Sequence, residues 1–161
     1  MAGPALDPEI LDRLRRGIPL RMDRMGGFWL GDEPVTHPRV IAAFRQGLDI
    51  SEAGEPTLHV GNQWCYIKID DCPLRVHAVA GEPTKGLSLR LDDGRSVELD
   101  LDTLREENGL QAEVPAQRSG RPLPARFTNR AQMDLAPWLV TNDAEQIVLQ
   151  VDGRNIQLSS D

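Results

Sequence analysis

The chain has 161 residues, 40% hydrophobic and 27% charged, which suits one compact domain or two small halves sharing a core and argues against overall disorder. A net charge of -7 argues against non-specific binding to nucleic acid or an anionic membrane, and with aromatics at 4% burial must rest on Leu, Val and Ile. No run reaches the roughly 18 apolar residues of a membrane span, the first residues carry acids where a signal peptide would be apolar, and Cys65 and Cys72 are too few for a secreted disulfide framework. A reduced, cytoplasmic setting is therefore expected.

In chain order, Asp7-Pro8-Glu9 reads as cap and first turn of a helix ended by Gly17, with Ile10, Leu11 and Leu14 on one stripe. Short strands are expected around Leu20–Met22 and Phe28–Leu30, joined through Gly26-Gly27. Thr36 is read as the cap of a second helix with Pro38 in its first turn and an apolar stripe of Val40, Ile41, Phe44 and Leu48. Residues 58–80 then read as a meander of three alternating runs, Leu58–Val60, Trp64–Ile69 and Leu74–Val79. Leu87, Leu89 and Leu91 face Val97, Leu99 and Leu101 across Asp93-Gly94, a hairpin that places all six on one face. Residues 102–109 are expected to make one or two helical turns and 115–124 a loop. Thr128 caps a last helix reaching about Val140, bent or divided at Pro137. A closing hairpin pairs Ile147–Val151 with Asn155–Leu158 across Asp152-Gly153.

The expected class is α+β with mostly antiparallel strands and two or three helices, organised as an N-terminal helix (1–17), a first half (18–80) and a second half (81–161). Thr36–Ile69 and Thr128–Leu158 share one order of elements, with Phe44 and Leu48 matching Leu135 and Leu139. This is either a duplicated helix-plus-hairpin unit or coincidence among common elements.

Chemical motifs are sparse. No phosphate loop, dinucleotide fingerprint, nucleophile elbow or paired-His zinc motif is present, so no metal or cofactor is expected. His37 opens a helix, while His59 and His77 would point outward from strands. Asp70-Asp71 before Pro73 reads as a turn, Cys72 as a structural thiol, and the acids between 92 and 107 as a solvated sheet face. Against this background Arg118, Arg121, Arg126 and Arg130 stand free of acids, ahead of the helix capped by Thr128. They are candidates for a phosphate or carboxylate, with a solvated loop as the plainer reading.

The stretch Gly26-Gly27-Phe28-Trp29-Leu30-Gly31, Pro34-Val35, the helix ending in Phe44, IKIDDCP from Ile67 to Pro73, and the closing VLQVDGRNIQL resemble a family of uncharacterised bacterial proteins over about residues 18–158. Its pattern is G-x-W-x-x-G, P-I, R-P, L-F, then I-x-V-x-D-A-P. A second uncharacterised group with mitochondrial members is similar through the same D-x-P and the closing G-R hairpin. The resemblance implies a duplicated α+β core, a second half like a pleckstrin-homology domain, a nucleotide-like ligand between the halves, and a role in signalling. Trp29, His37, Asp71 and Pro73 match the pattern's positions, but His37 replaces its Arg and Cys72 its Ala. The expectation is a non-catalytic ligand-binding or adaptor module with an anionic small molecule or an acidic protein as partner. The alternatives are a small enzyme using His37 or Asp71, and a pure protein-interaction module.

Overall fold

The computed structural model describes residues 7–82 and 84–158. They fall into two compact units, one running to Asp71 and including Ala116–Gly120, the other Cys72–Pro115 with the residues from Arg121 on. The division stands at Asp71–Cys72, ahead of Ala80, because Leu74–Glu82 is a single strand paired within the second unit. The class is α+β, with three α-helices and mostly antiparallel strands among the described residues.

The first unit opens with α1 (Pro8–Gly17), whose first free amide, Glu9 N–H, donates to Asp7 at 2.8 Å. None of its residues is buried, and of the expected stripe Ile10 and Leu14 face solvent while Leu11 is half-buried. Its cations do the docking: the Arg15 guanidinium lies 4.0 Å from the centre of the Trp64 ring and that of Arg16 4.1 Å from Tyr66. Arg16 also bridges Asp12 and Glu55, while the Tyr66 hydroxyl donates to Asp12.

Strands β1 (Leu20–Met22), β2 (Phe28–Leu30) and β3 (Glu33–Pro34) follow, then α2 (Pro38–Gly47), β4 (Leu48–Ile50), β5 (Pro56–Val60), β6 (Gln63–Tyr66) and β7 (Lys68–Ile69). The cap of α2 is His37 rather than Thr36: its Nδ1 accepts the Arg39 amide at 3.2 Å. Two sheets result, in orders β3-β2-β1-β7 and β4-β5-β6, with β1 and β7 parallel. Gly47 is required where α2 meets β5, since a Cβ there would stand 1.9 Å from the His59 carbonyl oxygen.

The expected meander over 58–80 is therefore corrected. Its first two runs do pair as antiparallel neighbours, Leu58 with Cys65 and His59 with Trp64, but the chain leaves β6 for β7 in another sheet at Ile67 and bends again through Asp70–Pro73 into the second unit.

In the second unit, β8 (Leu74–Glu82), β9 (Gly86–Leu91), β10 (Ser96–Glu98), β11 (Arg105–Glu106), β12 (Leu110–Pro115) and β13 (Pro122–Phe127) form a sheet of order β10-β9-β8-β13-β12-β11. Leu87, Leu89, Leu91 and Leu99 are buried, whereas Val97, on the edge strand β10, and Leu101, in the turn that follows, are half-buried. A bulge between Val76 and Ala78 turns Val79 inward in place of Ala78. Instead of helical turns over 102–109 there is a 3₁₀ turn at Leu101–Thr103 followed by β11. The expected loop 115–124 contains the end of β12 and the start of β13. Pro122 and Pro124 are tolerated because they pair only with β12, before β8 joins at Ala125. Of the acids read as a solvated face, Asp93 is buried against Arg95 at 2.8 Å and Asp92 accepts the Arg75 amide.

The unit closes with α3 (Asn129–Asp134), a 3₁₀ turn at Ala136–Trp138, β14 (Leu139–Thr141), β15 (Ile147–Val151) and β16 (Arg154–Gln157). The helix ends six residues before Val140, since Pro137 offers no amide to continue it. The repeat is now explicit: Asn129 stands for Pro38, Ile147 for Pro56 and Arg154 for Gln63, a constant offset of 91 residues. The registers agree pair by pair, Leu48–Leu58 as Leu139–Leu149 and His59–Trp64 as Gln150–Asn155. The loop bonds agree as well, Ser51 N–H to the Glu55 carbonyl recurring as Asn142 N–H to the Gln146 carbonyl.

Leu89 is fully buried and lies opposite Val97. Leu89→Ala is expected to lower unfolding free energy by about 2–5 kcal/mol in urea titrations, whereas Val97→Ala costs under half as much.

Candidate functional site

The fork at which one run of chain serves two sheets leaves a cleft in the first unit. Tyr66 still pairs with Thr57 of β5, while Lys68 already pairs with Arg21 of β1. Between them opens a cleft of about 500 Å³. It is lined by Ile18–Arg21 and Tyr66–Lys68, together with Arg16, Gly31 and Asp32.

Three cations, Arg16, Arg21 and Lys68, and one carboxylate, Asp32, line the cleft, and Arg16 is already paired with Asp12 and Glu55. Arg21 and Lys68 are direct cross-strand partners, and like charges placed opposite each other destabilise a sheet unless something offsets them. Asp70 reaches Arg21 only at 3.7 Å, and Lys68 has no ion-pair partner among the described residues. Arg21 also lies 5.0 Å from the centre of the Trp29 ring, its partner on the other side. Trp29, Arg21 and Lys68 thus form one row across β2, β1 and β7.

Asp23 holds that row. Its carboxylate accepts the Met25 and Gly27 amides and, at 2.8 Å, the Trp29 indole N–H. These bonds, the indole's foremost, hold its pKa below the ordinary carboxylate value. The Gly-Gly-x-Trp pattern is therefore a turn clasped by one carboxylate, with Gly26 at a φ of 86°.

The residues singled out from the sequence are dispersed. Trp29 borders the cleft through Arg21. His37 caps α2. Asp71 is half-buried at the end of the first unit, and Pro73 is buried at the start of the second. Arg118 belongs to the first unit and Arg121, Arg126 and Arg130 to the second. Arg126 donates through Nη1 to the Asn108 carbonyl, and Arg130 is exposed on α3. Arg16, Arg21 and Lys68 went unnoticed in the sequence, where the one available signal was a cation on each of two short strands.

Neither cysteine is in a disulfide and both are buried, and burial pushes the Cys65 thiol upward. His77 is exposed at the β8 bulge. His59, expected to point outward, is half-buried, stacked on Trp64 and bonded to the Thr57 hydroxyl at 3.1 Å. Nearby, buried Asp49 accepts the Ser119 hydroxyl.

No family model and no curated protein matches this chain. Two solved structures share its fold. A DUF1285 family protein from Silicibacter pomeroyi DSS-3 superposes with a TM-score of 0.62 at 19% identity, over 89% of this chain and 80% of that one. A DUF1285 family protein from Shewanella baltica OS155 does so with a TM-score of 0.57 at 14% identity, over 75% and 92%. The family expected from the sequence, a bacterial domain of unknown function, is the kind of protein with which the fold is shared.

Removing the Asp23 carboxylate leaves the Trp29 indole N–H and two turn amides without their acceptor. Asp23→Ala is expected to cost about 2–3 kcal/mol in urea unfolding. His59 is held below its ordinary pKa by burial first and then by Arg118. Its stabilising contribution is whole above the unfolded value of about 6.5 and is lost as pH falls toward the lowered folded value. Urea midpoints should therefore drop between about pH 7 and pH 5, and His59→Gln should flatten that slope. The lowered carboxylates of Asp12, Asp23 and Glu55 act separately, their contributions present above the ordinary carboxylate values and lost as pH falls below about 4.5.

Proposed function

We propose that this chain is a ligand-binding module whose first unit takes an anionic small molecule in the cleft beside Tyr66. The observation that carries this reading is the juxtaposition of Arg21 and Lys68 on neighbouring strands, at the wall of a cleft, in a chain of net charge -7. A phosphate or carboxylate placed there turns a repulsive pair into two charge-assisted contacts. The apolar wall of Ile18, Pro19 and Ile67 lowers the local dielectric and strengthens both.

A non-catalytic role fits how the reactive side chains are used. His37 caps a helix, His59 packs on Trp64, and Cys65 and Cys72 lie in the interior. In this reading the module senses a metabolite, in keeping with the signalling role that the family resemblance implies. The arginine segment supports the reading less, because Arg126 is engaged by Asn108 and the four side chains are divided between the units.

Calorimetric titration with inorganic phosphate, pyrophosphate and AMP tests the proposal. Binding is expected to weaken as salt is raised. Arg21→Ala and Lys68→Ala should each lose about tenfold or more, while Arg130→Ala binds as the parent does. Unchanged binding in both cleft variants, or no anion binding at all, defeats it.

A further inference from the structure

The cleft carries charges of both signs, and the strand register sorts them into two levels. Arg21 stands opposite Lys68 in the parallel pairing of β1 with β7. Followed back two residues, the same register leads from Arg21 to Pro19 and from Lys68 to Tyr66, and both of these line the cleft. Residues two apart on a strand share a face, so the two levels lie about 7 Å apart along one surface. The first level holds Arg21 and Lys68, set against Asp70 at 3.7 Å from Arg21.

At the second level acids outnumber cations. The Gly31 amide donates to the Pro19 carbonyl at 2.7 Å, which fixes the turn between β2 and β3 there and puts Asp32 on the cleft. Asp32 is exposed and has no ion-pair partner among the described residues. The Tyr66 hydroxyl donates to Asp12 at 3.1 Å, and Glu55 meets Arg16 at 2.6 Å. Arg16 holds both of these carboxylates below their ordinary pKa values, so both are ionised at neutral pH. Asp32, Asp12 and Glu55 thus stand around Arg16, while Arg15 is turned to Trp64.

A bare anion answers the first level only. A dianion long enough to span both would set its second charge against Asp32. A positive group at that end meets attraction instead, and Asp32 is open to receive it. We infer that the ligand of this cleft carries an ammonium group as well as its anion, with several methylenes between them, as in an ω-amino acid. The inference rests on the anion-binding reading above and adds the second charge. Because Asp32 lies in water, the added contact should tighten binding by at most about fivefold, and the gain should fade as salt is raised.

The experiment titrates the whole chain at low salt with six-carbon probes that differ in charge: hexanoate, 6-aminohexanoate, adipate and hexylamine. Acetate and glycine serve as the short pair. The expected result is that 6-aminohexanoate binds about three- to fivefold more tightly than hexanoate and also more tightly than adipate, while glycine gains nothing over acetate. Asp32→Asn should erase the gain, and Asp32→Lys should turn the preference toward adipate. Lys68→Ala should weaken hexanoate and 6-aminohexanoate alike. Equal binding of those two by the parent, or a gain that survives in Asp32→Asn, overturns the ammonium contact and leaves the anion reading intact. Tighter binding of adipate than of 6-aminohexanoate by the parent overturns it as well. An equal gain of glycine over acetate overturns the spacing. Hexylamine binding as tightly as 6-aminohexanoate, with Lys68→Ala without effect, overturns the anion reading together with the inference.

Discussion

At Ile67 one extended run of chain passes from one sheet to another, and the architecture of the first unit depends on that passage. An extended segment has two hydrogen-bonding edges, and here they are used in succession. Ile67 N–H still donates to the Pro56 carbonyl at 3.2 Å, while Asp70 N–H donates to that of Met22 at 3.0 Å. Because the sheets diverge from a shared strand, the space between β1 and β6 cannot be closed by backbone pairing. Side chains of β1 and β6–β7 must wall it instead, and the result is the cleft. The same divergence brings Arg21 and Lys68 side by side.

Electrostatics in this unit run through aromatic faces. Arg15, Arg16, Arg21 and Arg45 lie over Trp64, Tyr66, Trp29 and Phe28 respectively. A guanidinium on a ring keeps its charge and most of its hydrogen-bonding edge while its flat face is desolvated. Cations can thus be held on a small, weakly apolar scaffold without each being neutralised by an acid. It also explains why α1 docks with its charged side and leaves Ile10 and Leu14 outside.

The repeat at a spacing of 91 residues shows how local residues modify a common frame. The strands, their register and the loop bonds are shared. The helix is not. In the first copy it runs unbroken to Gly47, whose missing side chain lets β5 approach. In the second, Pro137 interrupts it and the last turn becomes 3₁₀. One proline and one glycine account for the difference.

Elements determined by contacts near in sequence were legible without a structure. Asp7-Pro8 opened α1, Thr128 capped α3, and the Asp152-Gly153 hairpin and the core face of Leu87, Leu89 and Leu91 stood where alternation placed them. Even the repeat showed in the matched spacing of Phe44–Leu48 and Leu135–Leu139. What failed to show was everything that depends on which strand pairs with which. Alternation in residues 58–80 says that each run has a buried face, but the choice of sheet is made by distant partners such as Arg21 for Lys68 and Ala125 for Leu74. The cleft belongs to that second class. Its cations are separated in sequence and sit beside residues of no special type, so only the parallel pairing of β1 with β7 makes them neighbours. The clustered arginines of 118–130 were visible because they are close in sequence, yet the fold divides them between two units. Closeness along the chain governs turns and caps, where a few dihedrals decide the geometry. A binding surface is assembled by tertiary pairing, and only the folded chain could decide it.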